Sequence, residues 1–363
     1  MTKAKKQAWL KSASYDGLWI LSPPFLATLF VAIALLVWPE LAERALTPFA
    51  WLFLVLAIDV SHVYASIYRT VLNRKMWRDE KSLLILVPIV AYALGYAAYR
   101  WDPVVFWRML AYTAVFHFVR QPYGLFMLYK RSGVKDALWV HRLDQLAIYT
   151  ASLYPLIVWH LDPSRRFTWF VPGDFWIVDG LRYRWIFDVL AVLIFVPYAA
   201  KEVYLLRTSH FFNLPKNLVL LGTALSFGFG ILYWNSDFAF TVTNVVSHGV
   251  AYMGLIWLTD AKKLWHRQVL PTESDSGMLR RLAIIMAPLL FLISLLALAY
   301  FEEGLWDSLV WQEYGQFFGG FSQWFTEADG GAKAWIIPLL ALPQATHYIW
   351  DGFIWRSRND LRA

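Results

Sequence analysis

The chain has 363 residues, 59% of them hydrophobic and 16% charged, a balance too apolar for a soluble globular protein of this length, so a membrane is its expected solvent. It contains no cysteine, which excludes disulfides, thiolate metal sites and iron-sulfur clusters and leaves nitrogen and oxygen to bind any metal. The net charge of +7 is read through its placement between apolar stretches, and nothing else in the sequence suggests nucleic-acid binding.

The N-terminal residues MTKAKKQAWLKSASYDG are basic, and the apolar run after them lacks a small-residue cleavage signature, so the segment is expected to be retained. Stretches apolar enough, and long or nearly long enough, to cross a hydrocarbon core as helices follow at 17–38, 46–68, 82–99, 104–129, 139–160, 185–205, 217–234, 238–260, 282–300 and 333–355. Basic residues gather after the second, fourth, sixth and eighth of them: Arg69, Arg74, Lys75, Arg78 and Lys81, then Lys130, Arg131 and Lys135, then Arg207 and Lys216, then Lys262, Lys263, His266, Arg267, Arg280 and Arg281. If every stretch crosses, these residues, the basic N-terminus and the tail WRSRNDLRA share one side, which the positive-inside rule makes cytoplasmic. The expectation is an all-α integral membrane protein, a polytopic bundle of about ten transmembrane helices with both termini cytoplasmic. It would form a single transmembrane domain over 1–363, in a bacterial inner membrane. Two long connections rich in acidic and aromatic residues, 161–184 and 301–332, are expected as extracytoplasmic caps, and 261–281 as a cytoplasmic loop.

Four histidines lie well inside the apolar stretches, each with a polar partner three or four residues away on the same helix face. In chain order the pairs are Asp59 with His62, His117 with Gln121, Asn244 with His248, and His347 with Asp351. His141 and Asp144 form a fifth pair near the start of the fifth stretch. Counted from the inferred cytoplasmic ends, the four mid-span histidines lie roughly 9 to 18 Å deep, and His141 is shallower. All five fall in the cytoplasmic half. Imidazole and carboxylate together suit iron, manganese, zinc or copper, and a helix bundle can converge such groups on one centre.

The expected metal ligands are therefore Asp59, His62, His117, His141, Asp144, His248, His347 and Asp351. That set exceeds one tetrahedral zinc and points first to a dinuclear, di-iron centre, with zinc or haem as alternatives. Arg120, one turn from His117, is expected to hold a substrate head group, and Gln121 and Asn244 to position water, an oxygen-derived ligand or a histidine. The implied activity is oxidation of a lipid-soluble substrate, by hydroxylation, desaturation or cleavage, with an external electron donor. A zinc-dependent lipid hydrolase and a transporter using the same pairs as a proton relay are the alternatives. The blander reading of each intramembrane histidine is a hydrogen bond between helices. His160, His210 and His266 fit interfacial or solvated positions, Arg69 and Arg142 fit snorkelling to head groups, and Lys201 with Glu202 fits a local pair. The HxxxH and HxxHH boxes of fatty-acid desaturases, the HExxH of zincins and the adjacent histidines of heme-copper oxidases are all absent.

Overall fold

Where a chain is surrounded by hydrocarbon, each backbone N–H and C=O must find a partner within its own segment, and the helix does this for long apolar runs such as LLFLISLLALAY. The computed structural model describes residues 7–44, 46–131, 137–165, 168–269 and 277–355, and contains no strand among them. The principal helices are α1 (Ala13–Leu21), α2 (Pro23–Val37), α3 (Pro48–Arg69), α4 (Arg74–Asp79), α5 (Lys81–Trp101), α6 (Pro103–Arg131), α7 (Leu138–His160), α8 (Leu181–Ser209), α9 (Leu214–Tyr233), α10 (Asp237–Trp265), α11 (Ile284–Trp311), α12 (Gly330–Leu340) and α13 (Leu342–Ile354). Their starts are chemically marked. Thr47, Asn73, Asn213, Ser236 and Asp329 each accept a backbone N–H of the first turn, and prolines open α2, α3, α6 and α9, where no donor is required.

Six of these helices, α3, α5, α8, α9, α10 and α11, are long and apolar enough to cross a membrane, and α1 with α2, bent by 50° at the Ser22–Pro23 junction, gives a seventh if taken as one span. The ten expected crossings are not reached on length and composition alone. At 29 and 23 residues, α6 and α7 have the length but carry polar groups such as Arg120, Gln121, His141 and Asp144. The last expected stretch breaks at Ala341 into helices of 11 and 13 residues. Two expected loop boundaries also move. α11 continues past residue 300 to Trp311, taking Glu302, Glu303 and Asp307 into a helix, and helical structure beyond α10 continues to Val269. Residues 270–276 of the expected cytoplasmic loop, Lys135, and the basic ends 1–6 and 356–363 lie outside the described residues. Rows of exposed apolar side chains on α2 (Leu26, Leu29, Ile33, Leu36) and α8 (Val189, Val192, Leu193, Val196) are what helices present to lipid.

The chain divides into two units, Met1–Ala45 with Val115–His248 and Leu46–Ala114 with Gly249–Ala363. In the first unit, glycines let helices approach closely. A Cβ at Gly222 of α9 would lie 2.7 Å from Pro24 of α2, and one at Gly230 would lie 2.0 Å from Thr243 Oγ1 and 2.4 Å from Asn244 Nδ2 of α10. The turns after α7 are tied down by Asp162, which accepts hydrogen bonds from Ser164 N at 3.0 Å, Ser164 Oγ at 2.6 Å and Arg165 Nε at 3.1 Å. Arg165 in turn donates to the carbonyls of Ile231 and Leu232, both at 3.0 Å, at the end of α9. Burial disfavours the charged Asp162 carboxylate, but the Ser164 and Arg165 donors outweigh it and hold its pKa below the usual carboxylate range.

In the second unit, α3, α10 and α11 enclose a core of Ala65, Tyr68, Tyr252, Ile256, Ala261, Phe291 and Leu295, and a second cluster of Leu56, Val60, Ala299 and Phe318 packs nearer the start of α3. A Cβ on Gly249 would lie 2.9 Å from Ile58 Cγ2 and 3.1 Å from the Ile58 carbonyl, so a side chain there would hold α10 away from α3 beside His62. Both α3 and α10 contain wide π turns, Leu52–Val60 and Thr241–Val246, that end two residues before His62 and His248 respectively. Such turns shift the face on which the following residues emerge.

Candidate metal centre

His117 and His248 come from α6 and α10. Their side chains are 1% and 6% exposed, and their Nε2 atoms lie 2.8 Å apart with the rings edge to face at 79°. Two supports fix this pair. The Phe118 ring stacks on His248 at 4.4 Å, and Gln121 Nε2 donates to the carbonyl of His248 itself at 3.1 Å.

His62 and His347 come from α3 and α13, are 1% and 0% exposed, and have ring centroids 5.0 Å apart at 80°. Tyr252 stands edge-on to both, at 5.8 Å from His62 and 5.0 Å from His347. Its hydroxyl donates to Asp351 Oδ1 at 2.7 Å, and Asp59 Oδ1 approaches His62 Nδ1 at 3.4 Å. Asp59 and Asp351 therefore sit where a carboxylate can orient an imidazole or the aromatic ring against it.

All four histidines are buried, each offers one ring nitrogen, and these four atoms lie within 4.8 Å of one another. Ligand nitrogens around one ion at the usual imidazole bond length are separated by about 3.4 Å in a tetrahedron. Four close, buried histidines can bind a metal.

The converging group contains the four histidines and no carboxylate. Asp59 and Asp351 flank it as described. Arg120 Nη1 donates to the Tyr149 hydroxyl at 2.6 Å, and its guanidinium lies 4.9 Å from the centre of the Tyr123 ring. Asn244 Nδ2 donates to Ser226 O at 3.1 Å and Thr243 Oγ1 at 3.0 Å, so it joins α10 to α9 rather than facing the histidines through that group. His141 stays half-buried at the start of α7, outside the converging set.

Asp144 belongs to a different arrangement. Its carboxylate pairs with Lys130 at 2.6 Å, with Lys201, and with Lys216 at 3.6 Å, while Lys216 and Lys201 each reach Glu202 at 2.5 Å. Three lysines around two buried carboxylates tie the end of α6, the start of α7, the middle of α8 and the start of α9. The expected local pair of Lys201 and Glu202 is one edge of this network. With its oxygens held by ammonium groups, Asp144 is not offered to a metal.

Sequence reasoning did not single out Tyr252. It lies four residues after His248 and five before Trp257, in a helix where aromatics read as packing. The one available signal was its helical spacing from a histidine. The comparisons add no relative: no protein-family model, curated protein or solved structure matches the chain. What defines it is that the described residues form helices and no strand, several of the helices apolar and of membrane length, with a buried cluster of four histidines.

Proposed function

We propose that the chain is a multi-pass metalloenzyme of a bacterial inner membrane, crossing about ten times with both termini cytoplasmic, and oxidising a lipid-soluble substrate at a centre held by His62, His117, His248 and His347. The observation that carries this reading is the set of four buried ring nitrogens within 4.8 Å of one another. Four nitrogens and no carboxylate suit one ion better than the iron pair that the residue count first implied, and an all-imidazole set accepts iron, copper or zinc. A bound redox-active ion would supply one-electron chemistry. The chain's own part is to hold the imidazoles in place through Asp59, Tyr252 and Gln121, and to keep water from the site by burial. With no electron-transfer domain recognisable in the sequence, dioxygen would be the oxidant, taking two electrons from the substrate and two from an external donor and leaving as water.

The test is metal analysis of the detergent-purified protein and of its His117→Ala and His347→Ala variants. About one iron or copper per chain, lost in both variants, is the expected result. Bound zinc would redirect the reading to hydrolysis. No bound metal would favour a second reading, which the 2.8 Å contact between His117 and His248 supports: the two imidazoles share a proton in a relay.

A further inference from the structure

A cavity of about 610 Å³ opens in the second unit where α3, α4 and the end of α10 meet. Among the described residues, four cationic side chains line it, Arg69, Arg74, Lys75 and Lys263, together with one carboxylate, Asp260. That carboxylate is already engaged. Asp260 accepts from Arg69 Nη1 at 2.9 Å, Asn73 Nδ2 at 3.0 Å and Thr259 Oγ1 at 2.6 Å. Arg69, only 3% exposed, is fixed further by donating to the Ile354 carbonyl at 3.0 and 3.3 Å and by lying 4.1 Å from the Trp355 ring centre. Arg74, Lys75 and Lys263 are exposed at the rim. A rigid floor whose acid is neutralised, beneath three further cations, is a site for a multiply charged anion.

We propose that this cavity binds a phosphate monoester, carried either by a lipid head group or by a soluble ester. The volume lies within the range of small-molecule sites and exceeds what a bare ion needs. Its position gives the ligand a purpose. Arg69 is seven residues after His62 on α3, and Ile354 is seven after His347 on α13. Residues seven apart share a helix face and are about 10 Å apart along it. A phosphate held here lies two turns from the two histidines, on the side that the charge pattern makes cytoplasmic, so the cavity would anchor the head of a substrate whose apolar part reaches the centre. That last link rests on the metalloenzyme reading; binding of phosphate by the cavity does not.

The experiment is calorimetric titration of the full chain in detergent with short-chain phosphatidic acid, phosphatidylcholine of the same chain length, and glycerol 3-phosphate. It is repeated on a triple variant (Arg74→Ala, Lys75→Ala, Lys263→Ala) and on its charge-conserving counterpart (Arg74→Lys, Lys75→Arg, Lys263→Arg). Phosphatidic acid is expected to bind the native chain and the charge-conserving variant alike, and the alanine variant roughly a hundredfold more weakly. Tighter binding of the lipid than of glycerol 3-phosphate assigns the site to a head group, and equal binding assigns it to a soluble ester. Equal affinity for the native and alanine proteins, or equal affinity for phosphatidylcholine, overturns the proposal. Metal content measured on the same samples separates the two readings, since these substitutions leave all four histidines in place.

Discussion

A neutral imidazole in a membrane interior needs a partner for each ring nitrogen, one as donor and one as acceptor. The carboxylate near His62 Nδ1 sets up the residue-scale prediction. Asp59→Asn keeps the shape but removes the charge that favours a metal-bound imidazole, and is expected to lower metal affinity by about tenfold to a hundredfold, measured by competition with a chelator. Tyr252→Phe keeps the ring against His62 and His347 while removing the hydrogen bond to Asp351, so metal content should persist at a stability cost of about 1 kcal/mol. A full loss of metal in Tyr252→Phe would make the tyrosine oxygen a ligand and revise the donor set. Outside the membrane, Asp162 has a folded pKa below its unfolded one. The ionised carboxylate therefore stabilises its loop above the ordinary value of about 4, and that stabilisation fades as pH falls through the lower folded value. Amide exchange over 162–165 should be faster in Asp162→Asn than in the native chain at neutral pH, and the difference should vanish in strong acid.

Helices bring these residues together only if their axes approach closely, and beside His62 it is Gly249 that permits this. Gly249→Ala would drive a methyl group into the Ile58 backbone, where the neighbour is a carbonyl and cannot swing aside. The expected outcome is a shift of α3 against α10, a cost of about 1–3 kcal/mol, and a weaker metal site although no ligand is changed. Gly124→Ala, where a Cβ meets nothing within 4 Å, is the control and should be silent in metal content. Element-scale reasoning also shows what was legible. The depth of His62, His117, His248 and His347 followed from span ends and helical rise, and the structure gathers those four. Depth carries no lateral information, and so Asp144, near the start of α7, is expected at the centre although lysines on three other helices surround it. Those lysines are 14 residues before it and 57 and 72 after it in the chain. The π turns that set the facing of His62 and His248 leave no mark in hydropathy, and the extension of α11 to Trp311 was hidden because Glu302, Glu303 and Asp307 read as loop. Asp307 accepts the N–H groups of Glu313 and Tyr314 at 2.8 and 2.6 Å, which explains how an acidic residue can end that helix.

For the molecule as a whole, the open quantity is how many helices cross, because the side on which each loop lies decides which leaflet faces the metal centre and the cationic cavity. The absence of cysteine makes this measurable without background. Single cysteines at Lys75, Ala137, Asp179, Lys263 and Glu327, and one appended after Ala363, can be tested with a membrane-impermeant maleimide on intact cells. Ten crossings place Asp179 and Glu327 outside, where they should react, and the other four inside, where they should react only after lysis. The decisive positions follow the helices that fall short on composition or length. If α6 and α7 do not cross, the cysteine at Ala137 becomes labelled from outside. If the broken pair α12 and α13 turns back instead of crossing, the appended cysteine shares the fate of Glu327, and His347 would then enter its layer from a re-entrant segment. Polar groups set α6 and α7 apart from lipid-facing spans and the break at Ala341 leaves α12 and α13 short, yet polar groups on α6, α7 and α13 are also those that build the histidine cluster and the lysine network. A helix that faces such partners need not be apolar all round to cross, and labelling of the inner positions only after lysis is therefore the expected result.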